Sequence, residues 1–175
     1  MSTEVNELSP AQAAAGGQLY PVGGRWLGLA GWLAACFAAS VLGALFPPDA
    51  WYAGLRRPAF APPNWVFGPV WTALYAMMAV AAWLLWRRWG FRGAGGALAL
   101  FVAQLLANSA WSGLFFGLHR PLWALLDLVL LWILLLATTI AFSKKSRLAA
   151  ALLVPYLVWV TFAGVLNWEF WRLND

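Results

Sequence analysis

Four apolar stretches of this chain carry side chains capable of chemistry at helical spacing. Gln104, Asn108 and Trp111 fall at i, i+4 and i+7, which on an α-helix puts two amides and an indole on one face. An amide donates and accepts at once, so this stripe can pair helices or meet a ligand carbonyl. Asp127 is the one acid well inside an apolar run, with Trp123 four residues before it on the same face. A carboxylate at lipid depth is costly, so it either bonds a neighbouring helix or faces a ligand. Trp71, Tyr75 and Met78 repeat the spacing, as do Trp159, Ala163 and Leu166. Taken singly, each stripe is what helices pack with. Together they would line a cavity for a large, flat, mostly apolar ligand, with ring faces for stacking and Asn108 or an indole N–H for its polar edge.

Other chemistries lack their residues. His119 is the only histidine and Cys36 the only cysteine, so no zinc site with the usual imidazole or thiolate ligands can be assembled. Axial haem ligation by His119, in the loop Gly117-Leu118-His119-Arg120-Pro121, stands against plain solvation of a loop histidine. No metal and no resident cofactor is expected. There is no Ser/His/Asp arrangement and no glycine-rich phosphate loop, so conventional hydrolysis and phosphoryl transfer are not expected.

The elements that must position these residues follow from composition. Of 175 residues 63% are apolar, 17% aromatic and 10% charged, and fourteen are tryptophan. A soluble domain is roughly a quarter charged, so lipid is the expected solvent and a disordered chain or disulfide scaffold is excluded. Five runs are long enough to cross a hydrocarbon core as helices: 26–46, 65–86, 94–118, 122–142 and 148–171. The expected fold is therefore an all-α integral membrane protein, a five-transmembrane-helix bundle over 26–175, with a proline- and aromatic-rich loop at 47–64. Residues 1–25 read as a flexible tail without a cleaved leader.

The net charge of +5 is spread in small clusters between spans, which points to membrane flanks and not to nucleic acid. Seven basic residues flank the spans on the N-terminal side and four on the other, which would put the N-terminus in the cytoplasm of an inner-membrane protein. Small residues recur every four positions at Gly31, Ala35, Ala39 and Gly43, and again at Gly95, Ala99, Ala103 and Ala107. Such strips serve packing inside the bundle or a homodimer seam. Trp26, Trp86, Trp89 and Trp171 lie at span ends, where interfacial anchoring explains them, whereas Trp71, Trp111, Trp123 and Trp159 form an internal set.

Ordered motifs carry a resemblance. Trp51-Tyr52-Ala53-Gly54-Leu55-Arg56-Arg57-Pro58, Pro62-Pro63-Asn64-Trp65-Val66-Phe67-Gly68-Pro69-Val70-Trp71, Phe115-Phe116-Gly117 and Trp123-Ala124-Leu125 with Asp127 are among them. Together with Pro155-Tyr156-Leu157 and Leu166-Asn167 they make the chain resemble the TspO/translocator protein family, also called the peripheral benzodiazepine receptor family. The resemblance implies a bundle, commonly dimeric, with a pocket closed by the first loop. That pocket would take porphyrins such as protoporphyrin IX, sterols and isoquinoline carboxamides, as ligands and not as cofactors. Carried onto this sequence, the pocket would include Trp71, Asn108, Trp111, Trp123, Trp159, Ala163 and Leu166, with Trp51 and Pro62-Pro63 in the lid.

Two departures bear on that expectation. Phe60 stands where the family usually has tryptophan, which keeps the ring face and loses the N–H donor. Val165 to Arg172 lacks the tyrosine of the animal sterol motif, so at most weak sterol binding is expected. The resemblance leaves three functions standing. They are a tetrapyrrole receptor or carrier with a stress or pigment regulatory role, a light- and oxygen-dependent porphyrin-degrading enzyme using Trp71 and Trp159, and a membrane scaffold. Nine arginines against two lysines point to a bacterial source, in either the cell membrane or the outer membrane.

Overall fold

A computed structural model describes residues 22–175, with side chains from Trp26 onward. Of the tail read as 1–25, residues 1–21 lie outside the described residues, and 22–25 already form the first turn of a helix. The described residues are helical with no strand: α1 (Val22–Ala44), the short α2 (Ala50–Gly54), a 3-10 turn (Asn64–Val66), α3 (Phe67–Ser112), a π-helical turn (Gly113–Gly117), α4 (Pro121–Ser143) and α5 (Arg147–Asn174). Among the described residues four continuous segments are long and apolar enough to cross a membrane: Trp26–Ala44, Asn64–Gly117, Pro121–Ser143 and Arg147–Asn174.

The longest of these is not straight. As a single rod, the 46 residues of α3 would reach about 70 Å, more than twice a hydrocarbon core. Gly90 breaks it, with φ 61° and ψ −176°, a conformation that glycine adopts without a Cβ penalty. The Tyr75 hydroxyl donates to Asn108 Oδ1, and Gln104 Nε2 lies 3.8 Å from Met78 Sδ. Partners so far apart in sequence meet only if the chain doubles back at Gly90, giving two antiparallel arms, 67–89 and 91–112. The sequence reading left a connection between 86 and 94; the helical pattern instead runs up to the glycine from both sides.

The arms form the centre of the bundle, with α1, α4 and α5 packed on them and α4 on α5. Trp32 of α1 meets Phe101 edge-on at 5.6 Å, and Phe37 meets Tyr75 at 6.2 Å. The first small-residue strip is partly used here, since Ser109 Oγ donates to the Ala39 carbonyl at 3.3 Å and a Cβ on Gly43 would lie 3.1 Å from Ser112 Oγ. Gly31 faces open space. In the second strip Ala107 is buried and Ala99 exposed. Because lipid tails are as apolar as leucine, such close packing and interhelical hydrogen bonds carry association, not hydrophobic burial.

The inward face of α4 is Ala124, Leu128, Leu131 and Leu135, at i, i+4, i+7 and i+11, all buried, while Leu126, Val129, Leu130 and Ile133 are exposed. An apolar exterior of this kind suits a bilayer. Trp26 stacks on Trp83 at 5.9 Å, and Lys145 Nζ sits 4.9 Å from the Trp89 ring, so the start of α1, the Gly90 turn and the α4–α5 turn share one end. At the other end Asn174 holds the backbone of Arg56, accepting from its N–H at 2.8 Å and donating to its C=O at 3.1 Å. That end gathers the segment 45–66, the π-helical turn and the C-terminus.

Candidate functional site

The helices leave a cavity of about 460 Å³ at the second end, beneath the segment that joins α1 to α3. Its walls come from every long helix: Ser40 and Gly43 of α1, Trp71, Tyr75, Asn108, Trp111 and Ser112 of α3, Leu128 and Leu131 of α4, and Trp159, Val160, Ala163, Leu166, Asn167 and Phe170 of α5. Phe46, Pro47, Pro48, Tyr52, Asn64 and Phe67 close the mouth, and Phe115 and Phe116 enter from the π-helical turn. Among the described residues no charged side chain lines it. A chamber of this size and lining suits a drug-sized apolar ligand held by ring faces and a few polar groups.

Three polar pairs set its orientation. Tyr75 donates to Asn108 Oδ1 and so fixes the Asn108 amide. Trp111 Nε1 donates to Asn167 Oδ1 at 3.0 Å, and Asn167 Nδ2 donates to the Pro121 carbonyl at 2.8 Å. Asn167 thus ties the second arm of α3, the start of α4 and α5 together at the cavity wall, at 2% exposure. Trp159 packs on Phe67 at 5.8 Å and on Phe162 at 5.4 Å, and its buried Nε1 has no hydrogen-bond partner. Trp71 leans on Tyr75 at 5.6 Å and meets Tyr156 edge-on at 6.0 Å.

Of the residues singled out in the sequence, Trp71, Tyr75, Asn108, Trp111, Trp159, Ala163 and Leu166 meet in this cavity. The others lie elsewhere. Gln104 is fully buried, one turn further towards the Gly90 end than Asn108, with its Nε2 towards Met78 and its Oε1 unpartnered. Trp123 points outward at 61% exposure, and Asp127, half-buried with an unpartnered Oδ2, is off the wall. The reason is rotation: the inward stripe of α4 runs through Ala124 and Leu128, one residue, or about 100°, on from Trp123 and Asp127.

Trp51 stacks on His119 at 4.4 Å and leaves its neighbour Tyr52 to face the cavity. Phe60 lies in a shallow outer groove with Val158, Thr161, Phe162 and Val165. Several wall residues went unselected in the sequence although their spacing could have found them. Asn167 is eight residues after Trp159 and four after Ala163, and Phe115 extends Gln104, Asn108 and Trp111 by one more turn.

The segment over the mouth is held at both ends. Asp49 caps α2, its Oδ1 accepting from Tyr52 N–H at 3.1 Å, and its Oδ2 lies 3.0 Å from His119 Nε2. The Tyr52 N–H, with His119 beside it, holds the Asp49 carboxyl below its usual range. Tyr52 packs edge-on against Phe116 at 5.3 Å and, tilted, against Phe170 at 5.7 Å. Arg57 Nη2 donates to the Pro62 carbonyl at 3.2 Å and to Asn64 Oδ1 at 3.1 Å, folding 57–64 into a loop. Among the described residues no group of three or more His, Cys, Asp or Glu side chains could hold a metal ion.

The model of the family described as TspO/MBR family matches residues 32–172. The "Tryptophan-rich sensory protein" of Cereibacter sphaeroides is 44% identical over 142 residues, covering 81% of this chain and 88% of that protein. "Protein CrtK" of Rhodobacter capsulatus is 41% identical over 149 residues, 80% of this chain and 88% of its own. The human "Translocator protein" is 45% identical over 126 residues, 71% of this chain and 75% of its own.

Proposed function

Since the chain belongs to the TspO/MBR family and is a multi-pass integral membrane protein, we propose that it is a membrane receptor or carrier for tetrapyrroles such as protoporphyrin IX. Its role would be in stress or pigment regulation. The observation that carries the reading is the convergence of Trp71, Trp111 and Trp159 with Asn108 on one uncharged cavity. Indole faces stack on a macrocycle, and Asn108, oriented by Tyr75, offers its amide to a polar atom of the enclosed part of the ligand. The porphyrin is a ligand here, not a resident cofactor. Isoquinoline carboxamides, flat and apolar with one carbonyl, meet the same requirements.

We read the two arms of α3 as separate spans, so that the bundle crosses the bilayer five times. Bacterial relatives favour a bacterial membrane. The exposed half of the small-residue strip on the second arm, at Ala99, is the surface on which we place a homodimer seam.

Titration of the detergent-purified protein with protoporphyrin IX in darkness, read by quenching of tryptophan fluorescence, tests the proposal. Trp159→Phe and Asn108→Ala are each expected to weaken binding roughly three- to tenfold, the worth of one hydrogen bond or ring contact. Unchanged affinity in both would show that the ligand binds elsewhere.

A second reading is favoured by the placement of Trp71 and Trp159 together on the wall: light- and oxygen-dependent breakdown of the bound porphyrin. Illumination would then give a new absorbing product many times per protein, and Trp71→Phe with Trp159→Phe would abolish it. Bleaching that stops at one equivalent leaves binding alone.

A further inference from the structure

The cavity contains no charged side chain, yet a guanidinium stands at its mouth. Arg57 Nη2 is 3.1 Å from Asn64 Oδ1, and its Cζ is 5.8 Å from the centre of the Tyr52 ring; Asn64 and Tyr52 are both wall residues. Arg57 is exposed, and its hydrogen-bond acceptors, Asn64 Oδ1 and the Pro62 carbonyl, are both neutral. The ion pairs among the described residues are His119 with Asp49 and Arg172 with Glu169, so those acids are taken by other partners. Arg57 therefore holds a full positive charge at the rim, with no carboxylate of the described residues within ion-pair distance.

Resting on the cavity reading above, we propose that Arg57 is the specificity-determining residue that takes a carboxylate at the edge of the ligand. The ligand is then an amphiphile with an apolar body and one acidic edge, and it binds in one orientation. A carboxylate pushed to the cavity floor would meet Leu128, Leu131 and Val160, with no cation to compensate its lost hydration. With the acidic edge at the mouth it keeps part of its water and gains the guanidinium charge and one charge-assisted hydrogen bond. The hydrogen bonds to Pro62 and Asn64 use Nη2, the nitrogen common to both two-pronged edges of the guanidinium, so Nε or Nη1 is left to donate a single hydrogen bond to one carboxylate oxygen.

The test compares protoporphyrin IX with its dimethyl ester, which has the same ring and no acidic group, on wild type, Arg57→Gln and Arg57→Lys. Wild type is expected to bind the acid more tightly than the ester, and the difference to shrink as salt is raised. Arg57→Gln, which removes the charge and shortens the side chain that braces 57–64, should weaken the acid about three- to tenfold more than the ester, as expected for one partly exposed charge pair. Arg57→Lys should retain most of the preference for the acid. A merely structural role in folding the loop would instead weaken both ligands equally in Arg57→Gln, and that result overturns the proposal. Equal binding of acid and ester by wild type also overturns it while leaving the cavity reading intact, whereas binding of neither ligand by wild type removes both.

Discussion

Asn167 is the side chain on which the polar wall of the cavity depends. It accepts from the Trp111 indole and donates to the Pro121 carbonyl, so it satisfies a backbone oxygen near the start of α4 and fixes a ring that lines the cavity. Asn167→Ala is expected to lower stability by about 1–3 kcal/mol, because two buried groups lose their partner. Thermal unfolding in detergent measures this, and an unchanged midpoint would mean that the two bonds are replaced without cost. The same reasoning explains which site residues could be read in advance. On α3 and α5, polar and aromatic side chains alternate with small apolar ones at 3.6-residue spacing, so the inward face is marked. On α4 nearly every residue is Leu, Ile, Val, Ala or Trp, and nothing in that run distinguishes Trp123 from Ala124 as the inward position.

At the scale of elements, the segment between α1 and α3 is a lid built from short-range bonds. Asp49 caps α2 and faces His119, and its carboxyl is held below the usual aspartate range by the Tyr52 N–H. A carboxylate depressed in the folded state stabilises it fully above the ordinary aspartate range, and that contribution is lost as pH falls through the lowered value. Hydrogen exchange at the amides of 50–54, corrected for intrinsic rates, is therefore expected to keep its protection through mild acid and lose it below the ordinary range. An Asp49→Ala variant should be less protected at neutral pH and lack that acid step; the same step in the variant would assign it to another group.

Gly90 makes a second element-level case. Its φ of 61° is unfavourable for any residue with a Cβ, so Gly90→Ala is expected to cost about 1 kcal/mol or more, read as a lowered unfolding midpoint. A neutral result would mean that the turn between the arms relaxes into another conformation.

For the molecule as a whole, the decisive quantity is the number of crossings. The start of α1 and the Gly90 and α4–α5 turns share one end, while the lid, the π-helical turn and the C-terminus share the other. Cysteines introduced at Lys144 and at Arg56 are therefore expected to react with a membrane-impermeant thiol reagent from opposite sides. Native Cys36, fully buried, contributes no background. Labelling of both from the same side would sink the five-span reading.

The sequence by itself determined the solvent, the helical class and the cavity-facing stripes of α3 and α5, because lipid demands long apolar runs and a helix imposes its own period. It could not determine how each helix is rotated about its axis. In water, burial of the apolar face fixes that rotation; in lipid both faces are apolar, and interlocking shapes and a few hydrogen bonds decide it instead. The tertiary structure therefore decided that Leu128 and not Asp127 meets the cavity, that Trp51 stacks on His119 while Tyr52 closes the mouth, and that a single glycine turns α3 back on itself.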